Sequence, residues 1–162
     1  MEFKTSKIIS LPKILDSRGN LSFFESSNQI PFDIKRTYWI YDVPGGEIRG
    51  GHAFKHSHEF IVALSGSFDV ILNDGKKEIK FSLNRSYQGL YVPNMLWRRL
   101  ENFSTNSLVL IASSISYNDA AVRDFGLNAS MNTKIYVGNL MIICGHYKGI
   151  DLRYLPQWRW HI

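Results

Sequence analysis

His58-Glu59-Phe60-Ile61-Val62-Ala63-Leu64-Ser65-Gly66-Ser67-Phe68-Asp69-Val70-Ile71-Leu72-Asn73-Asp74-Gly75-Lys76 reads as two β-strands and two reversals. His58 to Leu64 and Ser67 to Leu72 are short runs rich in β-branched and aromatic residues. Ser65-Gly66-Ser67 and Asn73-Asp74-Gly75 supply the positive-φ positions that tight turns require. The same rhythm continues on both sides. Upstream, strands are expected at Leu21 to Glu25, Arg36 to Val43 and Arg49 to Phe54, with Pro44-Gly45-Gly46 as a further turn. Downstream they are expected at Lys76 to Leu83, Gly89 to Val92, Leu96 to Asn102 and Ser107 to Ser113. Nothing from Leu21 to Ser113 keeps a helical period for three turns, so the pattern is all-β. Many evenly spaced short strands predict a sandwich or barrel, which protects sheet edges and makes a mouth for a ligand. Ser116 to Phe125 is expected to form a short closing helix, and Leu140 to Cys144 an apolar strand. The N-terminal segment Phe3 to Ile9 has the character of an unpaired strand.

A chain of 162 residues with 44% hydrophobic content builds one domain with a real core. We expect it over residues 1–130, with a C-terminal extension over 131–162. No apolar run reaches the 18 or so residues of a membrane helix, and the N-terminus lacks a signal-peptide core. A cytoplasmic protein with no membrane partner is the expectation. Cys144 is the single cysteine, which excludes an internal disulfide and a thiolate zinc site. The net charge of +5 favours anionic partners. The basic residues are scattered, and the aromatics fall inside strand patterns, so nucleic acid is not an expected partner.

The densest chemistry is Arg49-Gly50-Gly51-His52-Ala53-Phe54-Lys55-His56-Ser57-His58-Glu59. It resembles the first signature of the metal-binding cupins, G(x)5HxH(x)3-4E(x)6G, when aligned on Glu59 and Gly66. His52 then takes the first histidine position and Phe54 replaces the second. Gly89, Pro93 and Asn102 fall near the landmarks of the second cupin signature, with Arg98 where its metal histidine belongs. Two of four ligand positions therefore survive, and a guanidinium beside a divalent cation repels it. His56 and His58 restore a pair of imidazoles, but a chain reversal between Phe54 and Glu59 places them on a rim. No metal and no cofactor are expected.

Asp16-Ser17-Arg18-Gly19-Asn20-Leu21, Arg49-Gly50-Gly51-His52-Ala53, Ser65-Gly66-Ser67-Phe68-Asp69-Val70, Asn84-Arg85, Gly89-Leu90-Tyr91-Val92-Pro93 and Trp97-Arg98 carry a narrower likeness. Together they are similar to the dTDP-sugar 3,4-ketoisomerases, or WxcM-like proteins, over about residues 5–125. The resemblance implies a cupin jelly roll, a homodimer, and conversion of a dTDP-4-keto-6-deoxyhexose to its 3-keto isomer for bacterial surface sugars. Moving a carbonyl to the neighbouring carbon passes through an enediol and is suited by a general base of near-neutral pKa, with no metal obligatory. On the resemblance His52 is that base, Tyr38 relays protons between sugar oxygens, and Arg49 stabilises the enediolate or grips phosphate. His58, Glu59, Asn84, Arg85, Tyr91, Trp97 and Arg98 are the implied substrate-binding set. The family commonly reads His-Ala-His where this chain has His52-Ala53-Phe54. A degenerate cupin that binds a nucleotide sugar without turnover is the alternative. Leu140 to Arg153 is also similar to a cofactor loop of tRNA guanine-N1 methyltransferases, but Lys148 replaces that family's acid and the remaining chain is too short for its domain.

Overall fold

The computed structural model describes residues 5–117 and the backbone of residues 133–137 and 140–144. In chain order the strands are β1 Lys7–Ser10, β2 Lys13–Ile14, β3 Leu21–Ser22, β4 Arg36–Ile40, β5 Arg49–Phe54, β6 Glu59–Ser65, β7 Phe68–Asn73, β8 Glu78–Leu83, β9 Gln88–Val92, β10 Trp97–Glu101, β11 Leu108–Ser113, β12 Thr133–Val137 and β13 Leu140–Cys144. The ladders are antiparallel, in a five-stranded sheet β1-β9-β6-β11-β4, a six-stranded sheet β12-β13-β5-β10-β7-β8 and a small ribbon β2-β3. All nine strands expected between Leu21 and Ser113 form, several of them shorter than expected, such as β4, which ends at Ile40 and not at Val43. β8 begins at Glu78 because Asn73 and Asp74 hold the turn: Asn73 Oδ1 accepts from Gly75 N at 2.6 Å, and Asp74 Oδ1 accepts from Lys76 N and Lys77 N. The first expected strand shrinks to Leu21–Ser22, paired with Lys13–Ile14.

Period-2 alternation then divides each strand between two cores. Ile61 and Ala63, Leu90 and Val92, and Val109 and Ile111 face Val70 and Leu72, Leu83 and Leu100 across the gap between the large sheets. The intervening residues Phe60, Val62, Tyr91 and Ala112 pack outward under Leu11, Ile30 and Phe32 from the N-terminal segment. That segment makes the five-stranded sheet a buried layer. It also corrects one expectation, since residues of the N-terminal stretch are paired: Lys7–Ser10 bonds along Gln88–Tyr91. The helix expected at Ser116 to Phe125 lies outside the described residues beyond Tyr117. The expected strand Leu140–Cys144 forms and pairs at Leu140 and Met141 with Phe54 and Ala53.

The gap between the sheets is apolar at one end and polar at the other. Arg36 and Tyr38 of β4, Ser113 of β11, Glu59 of β6, His52 and Phe54 of β5, and Arg98 of β10 stand on inward faces at the polar end. A bulge decides this for β5. Its register against β10 runs Arg49↔Leu100 and Gly50↔Arg99, then shifts so that His52 opposes Arg98. An inserted residue reverses which side chains face inward, so His52 and Phe54 face the space between the sheets and Ala53 packs outward with Met95 and Trp97. Gly50 and Gly51 take φ of 87° and 85°, a region that glycine adopts at little cost.

Candidate active site

Glu59 is the hub. Its side chain is fully buried at the start of β6, and both oxygens are engaged. Tyr38 Oη donates to Oε1 at 2.6 Å, and Arg98 Nε donates to Oε2 at 2.5 Å. Arg98 Nη2 also donates to Tyr38 Oη at 3.0 Å, closing a triangle of phenol, carboxylate and guanidinium. Burial alone pushes the Glu59 carboxyl up, but the charge and hydrogen bond of Arg98, with the Tyr38 hydroxyl, hold it below its usual range. Burial first, then the Glu59 charge, pushes the Tyr38 phenol far above the ordinary tyrosine value. Tyr38 is therefore a protonated O–H at physiological pH, able to give a proton only as it takes one.

His52 lies against this triangle from β5, buried, its ring edge-on to Phe54 with centroids 4.9 Å apart. Burial first, then the positive charge of Arg98, lowers its pKa to about 3. At neutral pH the imidazole is therefore uncharged, and it is a weaker base than the near-neutral one expected from the sequence, because burial and the Arg98 charge both oppose its protonation. Phe54, two residues along the strand, packs against His52, and the guanidinium carbon of Arg98 lies 6.0 Å from its ring centre. The glycines before His52 serve this packing. A Cβ on Gly50 would stand 2.9 Å from Arg98 Nη1, so the open backbone admits the arginine that anchors Glu59.

Of the residues singled out from sequence, the fold brings together His52, Tyr38, Glu59 and Arg98. It separates the others. Arg49 is exposed at the start of β5, in register with Leu100 of the apolar core, three residues along the strand from His52. Asn84 and Arg85 are exposed on the β8–β9 turn at that same apolar end. His58 and Tyr91 occupy the outer side of the five-stranded sheet. There His58 Nδ1 meets Tyr91 Oη at 2.8 Å and the rings stack with Phe32. Trp97 faces outward, under the guanidinium of Arg99, and His56 is exposed. Arg36 and the buried pair Ser57 and Ser113, Oγ to Oγ 2.9 Å, join the polar end without having been singled out. Arg36 was within reach of the period-2 rule, two residues before Tyr38 on one strand. Ser113 was not, since only sheet pairing sets it opposite Arg36 and Glu59.

No group of three His, Cys, Asp or Glu side chains able to hold a metal ion forms among the described residues. The donor set explains it: the one carboxylate beside His52 is saturated by a phenol and a guanidinium. No helix among the described residues is long and apolar enough to cross a membrane.

Residues 4–131 match the family described as WxcM-like, C-terminal. The TDP-4-oxo-6-deoxy-alpha-D-glucose-3,4-oxoisomerase of Aneurinibacillus thermoaerophilus is 40% identical over 114 residues, 70% of this chain and 82% of that one. The TDP-quinovose 3,4-ketoisomerase WlaRB of Campylobacter jejuni superposes with a TM-score of 0.70 at 43% identity, covering 74% of this chain and 91% of that one. The sugar 3,4-ketoisomerase QdtA of Thermoanaerobacterium thermosaccharolyticum, solved with TDP, gives a TM-score of 0.70 at 32% identity over 72% and 85% of the two chains. With a buried neutral imidazole set against a phenol, a carboxylate and a guanidinium in a double-sheet β-fold, the chain belongs to the WxcM-like family of sugar 3,4-ketoisomerases.

Proposed function

We propose that this protein moves the carbonyl of a dTDP-4-keto-6-deoxyhexose from C4 to C3 by acid–base chemistry, with residues 1–130 as the catalytic unit. The observation that carries the reading is the neutral His52 imidazole at the polar end between the sheets, beside the Tyr38–Glu59–Arg98 triangle. His52 takes the proton from C3. The C–H electron pair forms the C3=C4 double bond, and the carbonyl pair moves to O4. Tyr38, protonated and hydrogen-bonded to Glu59, gives its proton to O4 and takes one from O3. The imidazolium then returns a proton to C4 as the C3 carbonyl forms. Each proton lost is replaced and no redox partner is needed. The carboxylate and Arg98 act on Tyr38, fixing its hydroxyl and its charge state.

The likeness to an enzyme solved with TDP supports a nucleotide-linked substrate. The homodimer implied by sequence is favoured by the two outer strands of the five-stranded sheet. Each has one side without a strand partner among the described residues, and β4 also carries the exposed Trp39, with the exposed Tyr41 just past its end. A single peak at monomer mass in light scattering at micromolar concentration would argue against it. Work on nucleotide-activated sugars fits a place in the bacterial cytoplasm and a role in supplying surface glycans.

The test follows the proton. Wild type incubated with dTDP-4-keto-6-deoxyglucose in heavy water should incorporate solvent deuterium and form the 3-keto isomer, read by proton NMR. His52→Asn should abolish both while keeping TDP affinity within about threefold. Binding of TDP by wild type without exchange or isomerisation would replace the enzyme reading by that of a sugar-nucleotide binder.

A further inference from the structure

Three guanidiniums are within the sequence neighbourhood of the proton-transfer groups, and the fold gives them different fates. Arg98 is committed to Glu59 and Tyr38. Arg49 is exposed toward the other end of β5, roughly 10 Å of strand from His52 at about 3.3 Å per residue. Arg36 stands inward on β4, two residues before Tyr38 on the same face, in register with Ser113. Its guanidinium carbon lies 4.8 Å from the centre of the Tyr38 ring and 5.7 Å from that of Tyr117.

The Arg36 Nε is buried and has no hydrogen-bond partner among the described residues. A buried, unsatisfied donor on a permanently charged group is unfavourable in the free protein, and such groups concentrate where a ligand completes them. The charge acts on the reaction groups as well. It favours the neutral form of His52 and opposes the upward push on Tyr38. A weak imidazole base can remove a carbon-bound proton only if the developing negative oxygen is stabilised at the same moment. Arg98 has no such freedom while it holds Glu59.

We propose that Arg36 is a further catalytic residue, its buried Nε–H donating to the sugar oxygen that becomes anionic in the enediolate. This rests on the isomerase reading above. It transfers to Arg36 the role that the sequence suggested for Arg49. As the proton leaves C3 for His52 and the carbonyl electron pair moves onto O4, Arg36 receives the charge until Tyr38 protonates that oxygen. No bond to Arg36 forms.

The experiment measures kcat on dTDP-4-keto-6-deoxyglucose, the Kd for TDP and the melting temperature for wild type, Arg36→Gln and Arg36→Lys. Loss of an oxyanion donor lowers kcat by about 100- to 1000-fold, so Arg36→Gln should fall in that range with TDP affinity within about threefold. Its melting temperature should hold or rise, because the variant no longer buries an unsatisfied charged donor. Arg36→Lys keeps charge without the fixed Nε–H and should lie between wild type and Arg36→Gln; it stands in for the test if the glutamine variant fails to fold. A kcat loss under tenfold would overturn the assignment. A TDP affinity weakened tenfold or more would overturn it too, placing Arg36 on the diphosphate. An inactive wild type would remove the isomerase reading and this role together, whereas an active wild type with an unaffected Arg36→Gln removes only the role.

Discussion

Replacing Arg98 with methionine leaves Glu59 buried beside an apolar side chain of similar length. The two side chains are 3% and 2% exposed, so water cannot stand in for the lost guanidinium. Removing one partner of a buried pair costs about 3–5 kcal/mol, because the remaining charge is uncompensated. For a domain of this size each kcal/mol moves the melting temperature by about 2–4 °C, giving a drop of roughly 6–20 °C at pH 7. The direction with pH follows from the carboxyl. In wild type Arg98 holds Glu59 below the ordinary 4.5, so its contribution is present above that pH and lost as the pH falls below it. In Arg98→Met burial raises the carboxyl against the Tyr38 hydrogen bond without the guanidinium's help, so the penalty is greatest at neutral pH and shrinks as Glu59 takes up a proton. Adding Glu59→Gln removes the charge while keeping an acceptor for Tyr38 Oη, and the double variant should regain most of the loss. Thermal melts by circular dichroism at pH 7 and pH 5 across the four proteins of the cycle measure this. A loss under about 1 kcal/mol for Arg98→Met, or a double variant less stable than Arg98→Met, would refute the view that the pair is held by mutual charge compensation.

His52 makes its own contribution to acid sensitivity. Between its ordinary 6.5 and about 3 the unfolded chain binds a proton there and the folded protein does not, so stability falls as pH drops through that window. His52→Asn should flatten the slope between pH 6.5 and 5 in urea titrations, and an unchanged slope would count against a neutral buried imidazole. Gly89 packs against the Cζ end of the Phe60 ring, which an added Cβ would overlap. Gly89→Ala should cost about 1–3 kcal/mol by overpacking, and an unchanged urea midpoint would show that the ring yields freely. Phe54→His places a second imidazole against His52 and should keep or raise kcat; a fall of more than tenfold would mean that the aromatic ring itself orients His52.

Sequence determined the strands and turns because the information is local. Alternation of apolar residues and the Ser65-Gly66-Ser67 and Asn73-Asp74-Gly75 reversals are properties of adjacent residues, and they survive in the fold as β6, β7 and β8. His52 and Glu59 were legible for the same reason, as matches to a spaced pattern, and Arg98 as a departure from one. Tertiary structure alone decided which faces meet. The bulge at Gly50 and Gly51 turns His52 inward and leaves Arg49 at the other end. Strand parity sends His58 outward while its neighbour Glu59 points in. Strand pairing brings Tyr38, Glu59 and Arg98, up to 60 residues apart in sequence, within hydrogen-bond distance, and cross-strand register sets Arg36 opposite Ser113. Those outcomes depend on long-range pairing and on one inserted residue, which reverses the face of every side chain beyond it and leaves composition untouched.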